Sequence, residues 1–373
     1  MTDDLSKPTL YIKSNIIDLY FVSESSSASL DLIPTESGNI VYVIGIDEKA
    51  DFPFYLFSAV EIMSEKTALS LVLSGAEFDI ILFNDYALEI ARTTGRYNGK
   101  GEAGELLTSF VPQGPDYAGT SLDEITQAVS KFSDDRTTGF SPNVIFSEFQ
   151  SDARSSVISG LGNVMHVAGF SGATEVHEML PQIVGDHTLL HFVHSPEVAI
   201  SESNKREFAD AIIVGDGAAL SIQAKCFDFD GEVPPTSRAN AEKRMRKNVT
   251  KAISQTRGSS RMVREGRALF AKEVPLKISN DAAFMFCIFV PCLDLIYGEL
   301  NDELAELGEQ LSLYGQHLVV LDPMQFLRTL QAAGPVSESL GTTPEETFFH
   351  LLGRNSQQAA SERNYTRPIL YRW

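Results

Sequence analysis

Cysteine is scarce in this sequence: 373 residues contain three, Cys226, Cys287 and Cys292, and none has CxxC spacing. We therefore expect neither a disulfide framework nor a cysteine-based zinc site. Long hydrophobic runs are also missing. The longest apolar stretch, residues 282–292, contains Pro291 and is shorter than the roughly 20 residues that span a bilayer. The first ten residues have no basic and apolar regions of a secretory signal, so we expect a cytoplasmic protein without a membrane partner.

Several motifs that define common enzyme classes are absent. There is no GK[ST] phosphate loop, Gly160–Gly162 lacks the third glycine of a dinucleotide fingerprint, and GFSGA at Gly169–Ala173 is not G-x-S-x-G. No 20- to 50-residue repeat is visible, which argues against a solenoid. Histidines cluster, but a strand over 188–193 would place His194 on the face opposite His187 and His191, so three converging zinc ligands are not expected.

Basic residues are outnumbered by acidic ones, and the formal charge of −20 at first argues against a polyanionic partner. The distribution is uneven. Residues 1–150 hold 9 Lys and Arg against 23 Asp and Glu, whereas residues 238–267 hold 10 against 2. Such a run is either a charged, solvated face or a stripe that binds phosphates, and its concentration favours the stripe.

The length predicts two domains, or three, and a 43% hydrophobic content is enough for a large core. Residues 1–140 are predicted to form an acidic, β-rich α+β domain, and a polar linker is predicted at 132–143. This domain's predicted strands are Asn39–Ile46, Ala68–Leu73 and Phe78–Phe83, the last followed by a hairpin turn at Asn84-Asp85.

Residues 145–373 are predicted to form a second domain with a C-terminal helical extension. Its pattern is helix, strand, strand, strand, helix, strand, which indicates an α/β sandwich around a mixed sheet. These elements are predicted at Thr174–Val184, kinked or shortened by Pro181, Thr188–Val193, Ala209–Val214, Ala219–Phe227, Ala239–Thr256 ending near Gly258, and Ala282–Val290. Helices are predicted to follow at Glu299–Leu313, Met324–Ala333 and Pro344–Leu352.

The hairpin formed by the second and third of these strands carries the candidate chemistry. Alternation places Ser221, Gln223 and Lys225 on one face, and the apolar residues between them on the core face. A lysine in a hydrophobic strand is costly without a partner or a role. A short turn at Gly215–Gly217 would bring Asp210 close to Gln223 across the sheet. The alternative interpretation is an ordinary amphipathic hairpin with one solvated face.

A carboxylate and an amide oxygen, joined by a carboxylate from a neighbouring helix, are hard oxygen ligands of the kind that hold Mg²⁺. Such a metal polarises a phosphodiester and lowers the pKa of an attacking water. Lys225 would orient that water or stabilise the charge that develops on the phosphorus centre.

This arrangement resembles the PD-(D/E)xK nuclease superfamily, and within it the Mrr-type restriction endonucleases, in which Gln replaces the acid of the second motif. The matching residues are Asp210 in FADAIIV and Gln223-Ala224-Lys225 in SIQAK. The sequence departs from the pattern where Ala209 replaces the motif proline. The resemblance covers about 130 residues, from 170 to 300, and implies a restriction-endonuclease-like mixed sheet flanked by helices.

The resemblance also implies a function and a set of site residues. Asp210, Gln223 and Glu175 would bind Mg²⁺ or Mn²⁺, with Glu178 as the alternative to Glu175, and Lys225 would complete a catalytic centre for phosphodiester hydrolysis. The family often carries a Lys or Gln on the following helix, which Lys247, Lys251 and Gln255 match on one face. Together with the charge distribution, this predicts that the basic helix binds nucleic acid, DNA favoured, through these three residues and Lys243, Arg257 and Arg261.

The implied biology is prokaryotic restriction or anti-phage defence, and a double-strand cut would need a homodimer. The resemblance says nothing about the N-terminal domain, whose role stays open: it could be a recognition, partner-binding or autoinhibitory module, or receive a protein or ligand trigger that switches the nuclease on. The alternative is a non-catalytic protein that keeps the nuclease fold for nucleic-acid binding or assembly.

Overall fold

The structure of the protein is a computed structural model. The residues that it describes are 7–14, 16–46, 54–83, 89–99, 102–112, 121–135, 141–150, 155–158, 164–167, 180–187, 190–201, 204–225, 235–279, 281–290 and 292–366.

The chain divides into two compact units. Unit 1 comprises residues 1–155 and 236–238, and unit 2 comprises residues 156–235 and 239–373. The division falls after Ser155, beyond the predicted boundary at 140–145, because residues 144–146 form a strand of the sheet of unit 1. The first residues of the predicted linker at 132–143 belong to a helix that ends at Asp135.

Unit 1 is built on a mixed seven-stranded sheet. Its elements are β1 (Thr9–Lys13), α1 (Ile16–Glu24), β2 (Ser27–Pro34), β3 (Ile40–Ile46), β4 (Phe54–Ala59), α2 (Met63–Leu73), β5 (Glu77–Phe83), β6 (Glu89–Tyr97), α3 (Glu102–Ser109), α4 (Leu122–Asp135) and β7 (Val144–Phe146). The spatial order is β1-β5-β6-β7-β2-β3-β4, and only the β1–β5 pair is parallel. The strands predicted at 39–46 and 78–83 are confirmed as β3 and β5. β5 and β6 form the expected antiparallel hairpin, whose turn at Asn84-Asp85 lies outside the described residues.

The strand predicted at Ala68–Leu73 is wrong, because these residues form the second half of α2. The Glu65 carboxylate accepts the backbone N–H groups of Glu61 and Ile62 and so caps the start of the helix. At the other end Gly75 has a φ of 89°, which suits glycine and allows a tight C-terminal turn. The residues that mark the start and the end of the helix, Glu65 and Gly75, lie outside the apolar run 68–73, so the run alone does not show that it is helical.

The remaining elements follow in chain order. They are β8 (Ser155–Ile158), β9 (Val164–Val167), α5 (Leu180–His187), β10 (His191–His194), β11 (Glu197–Ser201), β12 (Asn204–Glu207), β13 (Ala211–Val214), β14 (Ala218–Ala224), α6 (Arg238–Arg264), β15 (Leu269–Ala271), β16 (Val274–Pro275), β17 (Ala283–Phe289), α7 (Asn301–Ser312), β18 (His317–Leu321), α8 (Pro323–Leu340) and α9 (Pro344–Glu362).

The main sheet of unit 2 is mixed and has the order β10-β13-β14-β17-β18. β10, β13 and β14 are antiparallel neighbours, whereas β17 and β18 run parallel to β14. The predicted helix, three strands, helix and strand correspond to α5, β10, β13, β14, α6 and β17, but β11 and β12 are inserted after β10, and β15 and β16 after α6. Unit 2 is thus an α/β structure around a mixed sheet, in which β14 is the central strand.

One face of this sheet packs against α5, α8 and α9 in a single apolar core. Phe289 of β17, Phe326 of α8 and Phe348 of α9 form a chain of edge-to-face contacts, with ring centroids 6.1 and 5.9 Å apart. Cys287 is buried in the same cluster, and burial raises the pKa of its thiol, which keeps it protonated and unreactive. This core holds the central strand rigidly from one side.

Several elements of unit 2 differ from their predictions. The hairpin β11–β12 and the strands β15, β16 and β18 were not predicted, and β11, β12, β15 and β16 form a second sheet. The basic helix continues past Gly258 to Arg264. The described part of the helix predicted at Thr174–Val184 is α5, and residues 174–179 lie outside the described residues. No described helix is long and apolar enough to cross a membrane.

Candidate functional site

The hairpin β13–β14 is buried on both faces, which contradicts the interpretation of a solvated face. Ser221 and Gln223 lie on the face that sequence alternation left open to solvent, yet both are buried, Gln223 with only 4% of its surface exposed. They are covered because β14 lies between β13 and β17, and α6 packs against the side opposite the phenylalanine core. Polar side chains on this face therefore need partners within the protein.

Asp210 lies beside Gln223, as the turn length predicted. Ala211 pairs with Ile222 in the antiparallel register, so Asp210 and Gln223 are the next pair along the two strands. The Asp210 Oδ2 accepts the backbone N–H of Ala224 at 2.7 Å, and this bond fixes the carboxylate against the end of β14. The other oxygen, Oδ1, has no hydrogen-bond partner within the described part of the chain.

Lys225 follows the last residue of β14 and turns back toward the same carboxylate. Its Nζ lies 3.7 Å from the Asp210 Oδ2 and donates to the carbonyl oxygen of Ala224 at 2.8 Å. The Lys225 side chain is 12% exposed and that of Asp210 is 30% exposed, so the ammonium is the more deeply placed of the two. The lysine thus has the carboxylate partner that a buried cation requires.

The Gln223 side chain is oriented by a shared backbone acceptor. Its Nε2 and the Ser259 hydroxyl of α6 both donate to the carbonyl oxygen of Phe208, at 3.3 and 2.7 Å. The Gln223 Oε1 has no partner among the described residues. A carboxylate oxygen and an amide oxygen are therefore both left available at this end of the sheet.

Asp210 and Gln223 line a cleft of about 420 Å³ between the sheet and α6, which we call the Asp210 cleft. Its walls come from the end of β12, the start of β13, the end of β14 and the C-terminal half of α6. The lining residues are Arg206, Glu207, Phe208, Ala209, Asp210, Gln223, Ser254, Gln255, Gly258, Ser259, Arg261 and Met262. Four of the predicted site residues thus line one cleft: Asp210, Gln223, Gln255 and Arg261. Lys225 does not line it and is connected to it by the contact of its Nζ with the Asp210 carboxylate.

Arg206 and Glu207 belong to this cleft but were not predicted from the sequence. They lie on β12, whose sequence NKRE has neither the alternation nor the β-branched residues of a typical strand. Their only signal was proximity, since they precede Asp210 by four and three positions. They supply a guanidinium and a second carboxylate to the cleft wall.

The predicted nucleic-acid-binding residues lie on the exposed side of α6. Lys243, Lys247 and Lys251 are exposed at intervals of one turn, and the described residues provide no ion-pair partner for them. Gln255 continues this row into the cleft, so Lys251 is one turn, about 6 Å, from the cleft wall. The opposite side of α6 is buried from Ala241 to Met262.

The two predicted arginines are partly engaged. Arg257 contacts Gln310 at 3.2 Å and Glu306 at 3.7 Å, both on α7, and this pairing reduces its availability to a ligand. Arg261 lies 3.8 Å from Glu265 and is 64% exposed, so a solvent-screened interaction leaves it accessible at the cleft.

Other candidate ligands cannot be placed in this cleft. Glu175 and Glu178 lie outside the described residues. The described residues contain no group of three His, Cys, Asp or Glu that would hold a metal ion. The expectation that His187 and His191 share a strand face is wrong, because His187 lies in α5 and the strand begins at His191.

A larger cavity, of about 920 Å³, lies at the opposite end of the hairpin. It is lined by the turn at Gly215–Gly217 and by α9, and it contains His191, His350 and Arg354. Its charges are mixed, since its lining includes both acidic and basic residues, Asp216, Glu345, Glu346, Lys277 and Arg354. It does not include any of the predicted site residues.

Comparison with protein-family models, curated proteins and solved structures returned no match. A function for the chain is therefore inferred from the fold of unit 2 and the chemistry of the Asp210 cleft.

Proposed function

We propose that the chain is a metal-dependent nuclease that hydrolyses phosphodiester bonds, with DNA as the favoured substrate. The observation that carries the proposal is the convergence of three groups at the end of β14. A carboxylate, an amide oxygen and a lysine ammonium, from Asp210, Gln223 and Lys225, meet beside a cleft that Gln255 and Arg261 also line. The order of α5, β10, β13, β14, α6 and β17 agrees with the helix and strand order that the PD-(D/E)xK resemblance implies.

The available oxygens fit a hard divalent cation. Asp210 Oδ1 and Gln223 Oε1 would hold Mg²⁺ or Mn²⁺, which accept one or two protein carboxylates and retain several waters. When bound, the metal supplies Lewis-acid polarisation of the phosphodiester and a lower pKa for the attacking water. Glu207 is the second carboxylate among the described lining residues and adds negative charge that favours a cation.

The remaining groups act on the substrate. The Lys225 ammonium, held by Ala224 and Asp210, would orient the attacking water or stabilise the negative charge that develops at phosphorus. Arg261 and Arg206 would bind the phosphates on either side of the scissile bond. Lys243, Lys247 and Lys251 would extend this contact along the backbone of the nucleic acid.

Cleavage of supercoiled plasmid and of single-stranded DNA with Mg²⁺ or Mn²⁺ tests the proposal. We expect nicking or degradation that EDTA abolishes, because the chemistry needs the metal. A preparation that binds DNA but cuts neither substrate with either metal would contradict the assignment of an active nuclease. Restriction or anti-phage defence would be the biological setting of such an activity.

A second candidate function is nucleic-acid binding without catalysis, favoured by the three exposed lysines of α6, for which the described residues provide no ion-pair partner. Such a protein would bind DNA equally well in EDTA. Replacing all three lysines with glutamine should reduce the slope of log affinity against log salt by about 2–3 for duplex DNA, since each phosphate contact contributes about 0.9. An unchanged slope would show that the row does not contact phosphates.

Gly258 gives a prediction that separates stability from activity. It lies inside α6 at the cleft wall, and a Cβ atom there would meet nothing within 4 Å. Gly258→Ala should raise the free energy of unfolding by about 1 kcal/mol, because glycine weakens a helix interior. Gly258→Leu should fill the cleft and lower cleavage about 5- to 150-fold, as a steric penalty of about 1–3 kcal/mol implies.

Gly104 of α3 is the matched control, since its Cβ position is equally open and it does not line the cleft. Thermal melting and plasmid cleavage would be measured for the same substitutions at both glycines. If leucine lowered cleavage at both positions, or at neither, the result would contradict the proposal that substrate binds in the Asp210 cleft.

A further inference from the structure

A second cleft, which we call the Tyr314 cleft, lies at the C-terminal end of α6. Its composition differs from that of the Asp210 cleft. It has a volume of about 390 Å³ and is formed by the end of α6, the strand β15 and the turn between α7 and β18. Its lining includes the apolar side chains Leu269, Leu276, Ile278 and Phe284. A planar apolar group would therefore be accommodated between these residues and the rim.

An aromatic ring and a guanidinium group form one edge of this cleft. The Arg264 Cζ lies 4.0 Å from the centroid of the Tyr314 ring, so the two groups stack. The Tyr314 side chain nevertheless remains 56% exposed. Stacked aromatic and arginine surfaces are the groups on which proteins hold unpaired bases.

Two helix ends fix this edge. Gly266 closes α6 with a φ of 66°, and Gly315 closes the turn after α7 with a φ of 68°. In this left-handed conformation, which favours glycine, the Gly315 turn leaves Tyr314 at the surface while the next residue, Gln316, becomes buried. The ring is therefore presented by backbone that is held on both sides.

A buried amide at the same cleft has spare hydrogen-bonding capacity. Gln316 is 4% exposed and lines the cleft, and its Oε1 accepts from the Ser260 hydroxyl at 2.5 Å. The other end of this amide has no partner within the described part of the chain. The Gln316 Nε2 is accessible at the cleft, so it can donate a hydrogen bond to the polar edge of a ligand.

The position of this cleft relates it to the proposed active site. Arg257, Arg261 and Arg264 follow one face of α6 at intervals of four and three residues. Arg261 lines the Asp210 cleft and Arg264 lines the second cleft, about one helical turn further along. A single strand whose phosphate contacts Arg261 would thus place a neighbouring nucleotide at Arg264.

From these observations we propose that the Tyr314 cleft binds an unpaired nucleobase of the substrate strand, stacked on the Tyr314–Arg264 pair with its polar edge toward Gln316. The inference rests on the proposed nuclease function and extends it. It assigns single-stranded or locally unpaired DNA as the substrate class, since a base inside a duplex cannot reach the ring.

Binding of a fluorescein-labelled single-stranded DNA 12-mer in EDTA tests this inference without cleavage. Tyr314→Leu should weaken affinity about 5- to 150-fold, the range given by about 1–3 kcal/mol per stacked base. Tyr314→Phe should bind within about twofold of the wild type, since it keeps the ring. Tyr297→Leu removes a tyrosine that is also 56% exposed but lies elsewhere, and it should not change affinity.

An abasic 12-mer identifies the base as the group recognised. It should bind the wild type more weakly than the normal 12-mer, and the Tyr314→Leu variant should not distinguish the two. The base site is wrong if the wild type binds the normal 12-mer and Tyr314→Leu has the same affinity for it as Tyr297→Leu. It is also wrong if the wild type binds the abasic and the normal 12-mer with equal affinity. In both cases the nuclease proposal stands. If the wild type neither binds nor cuts DNA, both proposals fail.

Discussion

Replacing Lys225 with methionine should lower the rate of metal-dependent DNA cleavage about a hundred- to a thousandfold, the cost of removing one positioned donor to transition-state charge. The Lys225 Nζ lies 3.7 Å from the Asp210 carboxylate and is held by the carbonyl oxygen of Ala224, so it is fixed before substrate binds. Methionine keeps most of the buried side-chain volume and removes only the charge and its donors.

Single-turnover cleavage and DNA affinity would be measured together for this variant. Affinity should stay within about threefold of the wild type, since the phosphate contacts assigned to α6 are unchanged. Lys131→Met removes an exposed lysine from α4 and is the matched control. Cleavage by Lys225→Met at the rate of this control would show that Lys225 takes no part in the reaction.

Replacing Asp210 with asparagine should reduce cleavage on the same scale, about 10²- to 10³-fold, because it removes the charged ligand that would hold the metal. A bound metal contributes several kcal/mol to stabilisation of the transition state, and each 1.4 kcal/mol corresponds to a factor of ten. The asparagine oxygen can still accept the backbone N–H of Ala224, so the end of β14 should keep its structure. The loss of cleavage is therefore expected from metal binding, while removal of the carboxylate partner of the Lys225 ammonium should also lower the melting temperature.

Calorimetric titration with Mn²⁺ separates the two explanations. At a temperature where both proteins are folded, the wild type should bind the ion, and Asp210→Asn should bind it at least about tenfold more weakly. Asp216→Asn is the control, since this exposed aspartate lies on the same hairpin but at its opposite end. Equal Mn²⁺ affinity for all three proteins would remove Asp210 from the metal site.

The pairing of Asp210 with Gln223 was accessible from the sequence because it depends on local rules. Strand alternation and a glycine-rich turn at Gly215–Gly217 fix the register of a hairpin. The row of Lys243, Lys247, Lys251 and Gln255 followed in the same way from helical periodicity. Both patterns act within about twenty residues, and no tertiary contact changes them.

Features that depend on tertiary contacts could not be predicted from the sequence. Burial of the Ser221 and Gln223 face follows from α6, which packs on a strand that alternation alone would leave half exposed. The continuation of α6 through Gly258 depends on buried residues beyond it, such as Ser259 and Met262, that bind or pack against the sheet. Arg206 was missed because β12 is a strand only by pairing with β11.

The neighbourhood of the Asp210 cleft also carries a measurable deficit in stability. The hydroxyls of Ser221 and Thr256 are buried without hydrogen-bond partners in the described part of the chain, each at a cost of about 1–3 kcal/mol. Gly258 adds about 1 kcal/mol of lost helix propensity two positions from Thr256. Alanine at 221, valine at 256 and alanine at 258 would each suit stability better. Three thermodynamically poor choices thus lie in the lining of one cleft or within two residues of it, the trade-off that is common where activity rather than stability limits the choice of residue.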